Sequence, residues 1–362
     1  MLVYTIALAL SVFICLIAYN KNRDGFFIKL RGDNICINKT IMVCMFAAFI
    51  PAVVSAVRYE VGTDYVNTYA VGYEKVMKND DSHGFEIGYL ILNKLVQLFG
   101  FDYYAIFIVT AFIFVMFTYA GIANVSDNIR MSIVLFFITR YYFIGMNCVR
   151  QLIALSILLY SMKYVIRRDF KHYIFVVLIA LSFHYTSVLF IPIYFLYDFK
   201  ITRKYKILML IGFLMAGVVM KPVCMTLLKN TKYYRIFIKY GNAGIKFTIF
   251  TIVFNLLILY VFSLAKKKHN SDKKLNFFYN VQFIAAMMTF LLQSLPVIER
   301  LYWIYSFPVI ATLPYGFKKI KNVYIRYTLE IALFSMYAFY FVYDIIMLKD
   351  HGVLPYKTIF QK

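Results

Sequence analysis

Arg58, Gly62, Thr63, Asp64, Tyr65 and Tyr69 form a packet, Arg58-x-x-x-Gly-Thr-Asp-Tyr65-x-x-x-Tyr69, that opens a polar stretch directly after an apolar run. Elsewhere in the chain, Glu86, Arg140, Arg150, His184 and the pair Glu299-Arg300 also stand against apolar surroundings. Ionisable groups near hydrocarbon are costly, and they are usually paired or lining a pathway or site. Arg presents a planar fork of donors that meets phosphate oxygens bidentately and keeps its charge when partly desolvated. Tyrosine suits the membrane interface and can stack on a sugar face. Together these residue types suit a ligand that carries phosphates at headgroup level.

Each residue also has a plainer reading. Arg58 follows Val57 and could snorkel to the interface. Asp64 in Gly-Thr-Asp-Tyr could be a turn former. Arg140 lies mid-span, where snorkelling is harder and a paired or site role is favoured. If its helix continues past Gly145, Arg140, Asn147 and Arg150 or Gln151 share a face. Arg150 could anchor the start of a span, His184 could be a hydrogen-bonded structural histidine at a turn, and Glu299-Arg300 could be a neighbouring pair at a span end.

The elements that must position these residues are membrane helices. Of 362 residues, 62% are hydrophobic and only 15% charged, a composition of polytopic membrane proteins. A crossing helix needs about 20 apolar residues. Spans are expected at 1–19, 41–57, 103–123, 131–146, 149–165, 172–184, 186–199, 206–222, 247–265, 277–294, 301–316 and 325–348. The expected fold is all-α, a single transmembrane domain over residues 1–362 with about 12 transmembrane helices. Residues 1–19 lack a basic n-region and a cleavage pattern and read as a retained first span. Six alternate loops, 20–39, 124–130, 163–171, 200–206, 266–276 and 317–326, hold 23 of the 39 Lys and Arg. The positive-inside rule assigns them to the cytoplasm and both termini to the outside. It also prefers a helical hairpin turning at His184-Tyr185-Thr186 over one span across 172–199. Outer-face loops are then 58–100 and 223–246. Within the first, Ile87, Ile91, Leu95 and Leu98 fall at helical spacing, predicting an amphipathic helix in the outer interface.

The net charge of +22 reflects these flanking cations, and no nucleic-acid motif accompanies it. Five scattered cysteines without a CxxC or Cys/His cluster argue against a disulfide framework or a metal site. No P-loop, GxGxxG before a helix, HExxH or DxD run appears, which disfavours nucleotide chemistry, and no cofactor is expected.

In order, the Arg58–Tyr69 block, Glu86-x-Gly88-Tyr89, Arg150-Gln-x-Ile-Ala154, His184-Tyr-Thr-Ser187 and Glu299-Arg300-Leu-Tyr302 resemble the EpsG family of Wzy-like polysaccharide polymerases. The resemblance covers nearly the whole chain, with the first block the most specific, and the Pro355-Tyr356 tail is similar to the ending of such proteins. It implies a multi-pass glycosyltransferase of the bacterial cytoplasmic membrane, acting in capsule, exopolysaccharide or O-antigen assembly. Such a protein joins undecaprenyl-pyrophosphate-linked repeat units at the outer face, without nucleotide sugar or metal. Membrane lipids, a chain-length regulator and the flippase of the pathway are the candidate partners, and nucleic acid is not one. On this reading Arg58, Arg150 and also Arg140 or Arg300 hold the donor pyrophosphate. Tyr65, Tyr69 and Glu299 join them in binding, and Asp64, Glu86 or His184 serves as the base for the acceptor hydroxyl. The rival readings are a flippase or exporter of lipid-linked oligosaccharide, a polysaccharide acyltransferase and a non-enzymatic scaffold. A flippase would favour internal repeats and broken helices, and the sequence displays neither.

Overall fold

The computed structural model describes residues 1–18, 26–30, 33–37, 39–80, 83–231, 234, 245–269, 271–291 and 298–361. Among the described residues the regular structure is helical apart from one antiparallel hairpin, Phe26–Leu30 with Asp33–Ile37. Among the described residues, six helices are long and apolar enough to cross a membrane: Lys39–Ala56, Tyr103–Val125, Val149–Ile166, Arg203–Leu227, Ile249–Lys268 and Val323–Met347. The expected count of about 12 spans is not established by these helices. Shorter apolar helices cover Leu2–Ile17, Ile87–Leu98, Ile129–Ile138, Phe170–Phe183 and Tyr185–Tyr197. The expected span at 301–316 is two helices, Ile298–Ser306 and Val309–Lys318, interrupted at Phe307-Pro308.

The chain forms two compact units, one of Met1–Val188 with Phe334–Lys362, the other of Leu189–Leu333. In the first, α1 (Leu2–Ala18) packs on α2 (Lys39–Ala56), α2 on α5 (Tyr103–Val125), α5 on α8 (Val149–Ile166), and α8 on α9 (Phe170–Phe183). Small residues allow this close stacking: Ala47, Ala48, Ala52 and Ala56 are buried, and a Cβ on Gly121 would lie 2.7 Å from Leu159. Pro51 sits inside α2 and has no N–H for the carbonyl of Ala47. The Ser11 hydroxyl from α1 donates to that carbonyl instead at 2.9 Å and also bonds the Tyr119 hydroxyl of α5 at 2.7 Å. A sequence-imposed gap in one helix thus becomes a link among three.

Between α2 and α5 the chain makes a π-helical turn, Tyr65–Ala70, then α3 (Val71–Met77) and α4 (Ile87–Leu98). The amphipathic helix is thus present, with Ile87, Ile91, Leu95 and Leu98 exposed and Gly88, Tyr89, Asn93 and Val96 buried. Beyond α5, α6 (Ile129–Ile138) stops well before Asn147, and a single turn, α7 (Tyr141–Ile144), precedes α8. The continuous helix that would align Arg140, Asn147 and Arg150 on one face does not form. At the far end of α9, His184 is extended (φ −156°, ψ 120°) before a 3₁₀ segment, Tyr185–Tyr197. The helix break expected there is present.

In the second unit, Ile245–Lys268 packs on Lys273–Met288 and on Val309–Lys318. A buried polar chain crosses the first pair: Gln282 Nε2 donates to Asn255 Oδ1 at 2.7 Å, and Asn255 Nδ2 to the Tyr302 hydroxyl at 2.7 Å. Half of the expected outer loop 223–246 lies outside the described residues, and Arg203–Leu228 is helical into its start.

Candidate functional site

The Arg58–Tyr69 stretch is held from beneath by the segment between α7 and α8. Gly62 has φ +109°, a conformation suited to glycine, and a Cβ there would lie 2.8 Å from the Met146 carbonyl oxygen. Arg58 is only 1% exposed. Its guanidinium donates to the Ser55 carbonyl at 2.5 Å, the Ser55 hydroxyl at 3.1 Å and the Met146 carbonyl at 3.3 Å. It also lies 5.0 Å from the ring centroid of Phe107, which stacks on Tyr65 at 3.9 Å. Its Nε has no partner among the described residues. Arg58 thus braces the stretch rather than presenting its fork to the surface, a placement its neighbour Val57 does not foretell.

Three residues from separate motif blocks meet at Glu86. This residue precedes α4 in extended conformation and is 4% exposed. One carboxylate oxygen pairs with Arg150 Nη1, and the other lies 2.9 Å from His184 Nδ1. Arg150 also donates to the Gly84 carbonyl at 3.0 Å and lies 5.2 Å from the Phe85 ring centroid. Gly88 explains how the three come together: a Cβ there would sit 2.4 Å from the Ser182 hydroxyl and 2.9 Å from its carbonyl oxygen. Without a side chain, α4 closes on the end of α9 and brings Glu86 to His184. Burial would raise the Glu86 pKa, but the hydrogen bond with His184 and the Arg150 charge prevail and hold it below the ordinary value. Such a carboxylate orients its partners better than it accepts a proton at neutral pH. Arg150 stands in the first turn of α8, where the N-terminal backbone groups favour an anion.

The buried hydroxyl of Tyr69 lies beside Arg150 and within the field of Asp64; burial pushes its pKa up, with Arg150 opposing. Beyond it lies a second charged cluster. Arg140, directly before α7, lies in the left-handed region (φ +71°) and pairs with Asp344 in the π-helical turn Val342–Met347. Its guanidinium carbon is 4.2 Å from the Tyr340 ring centroid. Both side chains are buried, so Arg140 is ion-paired as its mid-span position suggested. Left-handed backbone at a non-glycine residue and π-turns both concentrate at functional sites.

The chain after Asp344 returns to the Arg58–Tyr69 stretch. Gly62 N–H donates to the Gly352 carbonyl at 3.0 Å, Thr63 N–H to the His351 carbonyl at 3.2 Å, and Tyr59 N–H to the Lys357 carbonyl at 3.0 Å. The Tyr356 hydroxyl donates to the Val54 carbonyl at 2.8 Å, and the Tyr4 hydroxyl to the Val353 carbonyl at 3.0 Å. Asn147 joins the tail to half-buried Asp64: its Oδ1 accepts from the Asp64 N–H and the Thr63 hydroxyl, each at 2.8 Å, while its Nδ2 lies 3.3 Å from His351 Nδ1. Asp344, Asp350 and His351 each bring a ligand atom within 4.8 Å of the others. The Arg140 guanidinium pairs with one carboxylate oxygen of Asp344 in this cluster.

Glu299 and Arg300 belong to the second unit, in the helix Ile298–Ser306, half-buried and exposed respectively. Asp344 and His351 were not among the residues singled out from sequence. An acid inside the apolar run 325–348 was the available signal for Asp344; nothing local marks His351.

The EpsG family model matches residues 41–358 of the 362. No curated protein matches the chain, and no solved structure does.

Proposed function

The chain belongs to the EpsG family, and from that premise we propose that it polymerises undecaprenyl-pyrophosphate-linked oligosaccharide repeat units at the outer face of the bacterial cytoplasmic membrane. The observation that carries this reading is the Glu86–Arg150–His184 cluster at the start of a membrane-length helix. Arg150 has further donors and a helix N-terminus behind it, a setting for a phosphate-rich leaving group. The acceptor hydroxyl oxygen bonds to the anomeric carbon of the donor chain. The bond from that carbon to the pyrophosphate oxygen breaks, and its electron pair leaves on the lipid pyrophosphate, where Arg150 stabilises the charge. Glu86 holds Arg150 and His184 in register. The acceptor proton passes to Asp64, the half-buried carboxylate whose charge, like that of Arg150, reaches Tyr69.

A second reading, transport of the lipid-linked unit, is favoured by one observation: the helix interrupted at Arg140–Cys148, of the kind found at transporter sites. Proteoliposomes supplied with a lipid-linked repeat unit separate the two. A ladder of lipid-linked oligomers supports polymerisation; single units moved across the bilayer support transport, and acyl-labelled units an acyltransferase.

A further inference from the structure

We propose that His351 is a positioning residue, which sets the Thr63–Asp64 turn through the side-chain amide of Asn147. The inference rests on Asp64 being the acceptor-side base of the reaction above.

The donor at the Asp64–Asn147 contact has a fixed identity. The Asp64 backbone N–H can only donate, so the Asn147 atom facing it at 2.8 Å is the amide oxygen. The Thr63 hydroxyl donates to the same oxygen. Nδ2 of Asn147 therefore points at His351, and His351 Nδ1, 3.3 Å away, has to offer a lone pair. The imidazole proton is then on Nε2, on the side of the Asp350 carboxylate 3.7 Å away. A second proton on His351 would set two donors face to face. Relief requires the Asn147 amide to turn over, which removes the acceptor from both Asp64 N–H and Thr63. One proton on the tail histidine thus releases the turn that carries Asp64.

The backbone supports a placed rather than incidental histidine. Lys349, His351 and Gly352 have φ of +51°, +64° and +62°, and left-handed conformations are unfavourable for the two non-glycine residues. The carbonyls of His351 and Gly352 are consumed by the N–H groups of Thr63 and Gly62. The surrounding charges are Asp350 on the tail itself, Asp344 and Arg140 in their ion pair, and Asp64 across the Asn147 amide. Burial is the largest influence, and with Arg140 it outweighs the three carboxylates, holding His351 below the ordinary histidine pKa and neutral at neutral pH.

Two readouts on the full-length protein in proteoliposomes test this. The first is the pH profile of polymerisation for the wild type, His351→Gln and His351→Ala. Gln keeps an acceptor for Asn147 but does not titrate. It should stay within about twofold of wild type at neutral pH and lose the wild-type fall in rate on the acid side, whereas Ala should lose about tenfold at neutral pH. The second is hydrogen exchange over residues 60–68, expressed as protection relative to the free chain at each pH. Wild-type protection should drop on acidification, Gln should hold it, and Ala should lack it throughout. An Ala variant with wild-type rate and protection, or a Gln variant with the wild-type acid fall in both, overturns the proposal. If the wild type makes no polymer while protection responds as described, the polymerase reading falls and the positioning role stands.

Discussion

Glu86 and Arg150, 64 positions apart in the chain, form an ion pair at the meeting of α4, α8 and the end of α9. Glu86 is almost fully enclosed, whereas Arg150 keeps about a fifth of its side chain open. The asymmetry assigns different work to the two. The carboxylate has both oxygens committed and acts as a holder; the guanidinium retains donors and access.

Arg150→Ala should lower polymerisation by about 10²–10³-fold, the scale of removing a pre-organised charge stabiliser. Arg150→Lys should recover only part of this, because an ammonium lacks the planar fork that serves Glu86, Gly84 and a phosphate together. Product sizing in proteoliposomes, with immunoblots confirming membrane insertion, is the measurement. Full-length polymer from the Ala variant would remove Arg150 from the donor site.

Acid should loosen the same cluster. The folded pKa of Glu86 lies below its unfolded value, so its contribution is fully present above the unfolded carboxylate value of about 4.3. It is lost as pH falls through the lower, folded pKa. Wild-type melting temperature in detergent should therefore decline through this acid window. Glu86→Gln, which cannot titrate, should melt lower at neutral pH and show a shallower decline. Parallel acid curves for the two proteins would refute the assignment.

Class, membrane spacing and several motif positions were open to reading from sequence because they depend on local composition and period. The amphipathic helix at Ile87–Leu98 follows from apolar residues three and four apart, and the break at His184 from basic flanks on both sides of 172–199. That Glu86, Arg150 and His184 meet depends in addition on Gly88 against Ser182, a tertiary fit without a sequence signature. The interruption at Arg140 escaped prediction because apolar periodicity continues across it. Its left-handed backbone accompanies a pairing with Asp344, about two hundred residues later. Arg58 read from sequence as a phosphate ligand, with interfacial snorkelling after Val57 as the plainer alternative, yet Phe107 and Met146, both remote in sequence, help enclose it.

Arg140 offers a test that separates ion pairing from backbone strain. Removing one member of a buried pair leaves the other charge uncompensated, at about 3–5 kcal/mol. Arg140→Ala should cost that much, while the left-handed backbone strains Arg and Ala alike and adds nothing to the difference. Arg140→Gly adopts the backbone without strain, so it should be the less destabilising of the two, although it removes a side chain as well. Combining Arg140→Met with Asp344→Leu should cost less than the sum of the single changes, since neither charge is left behind. Unfolding in mixed micelles measures all of these. Strict additivity would mean that the pair contributes nothing as a pair.

Gly62 joins the opening stretch to both its supports, and its replacement should damage function more than folding. Gly62→Ala has to accommodate a methyl 2.8 Å from the Met146 carbonyl oxygen at φ +109°, where an L-residue is strained. The segment yields by moving Gly62 away from Met146. That motion pulls on the N–H bond to Gly352 and on the Thr63 and Asp64 bonds to Asn147. Helices α2, α5 and α8 are packed through other residues and should keep their places. The expected outcome is a membrane-inserted protein with about tenfold or greater loss of polymerisation and reduced protection of residues 60–68. Gly352→Ala also alters a left-handed glycine, but a Cβ there would meet the Thr63 side chain at 3.2 Å, a contact able to give slightly. It should be the milder variant. Equal activity in wild type and Gly62→Ala would show that the Thr63–Asp64 turn does not need the placement that Met146, Asn147 and the tail impose on it.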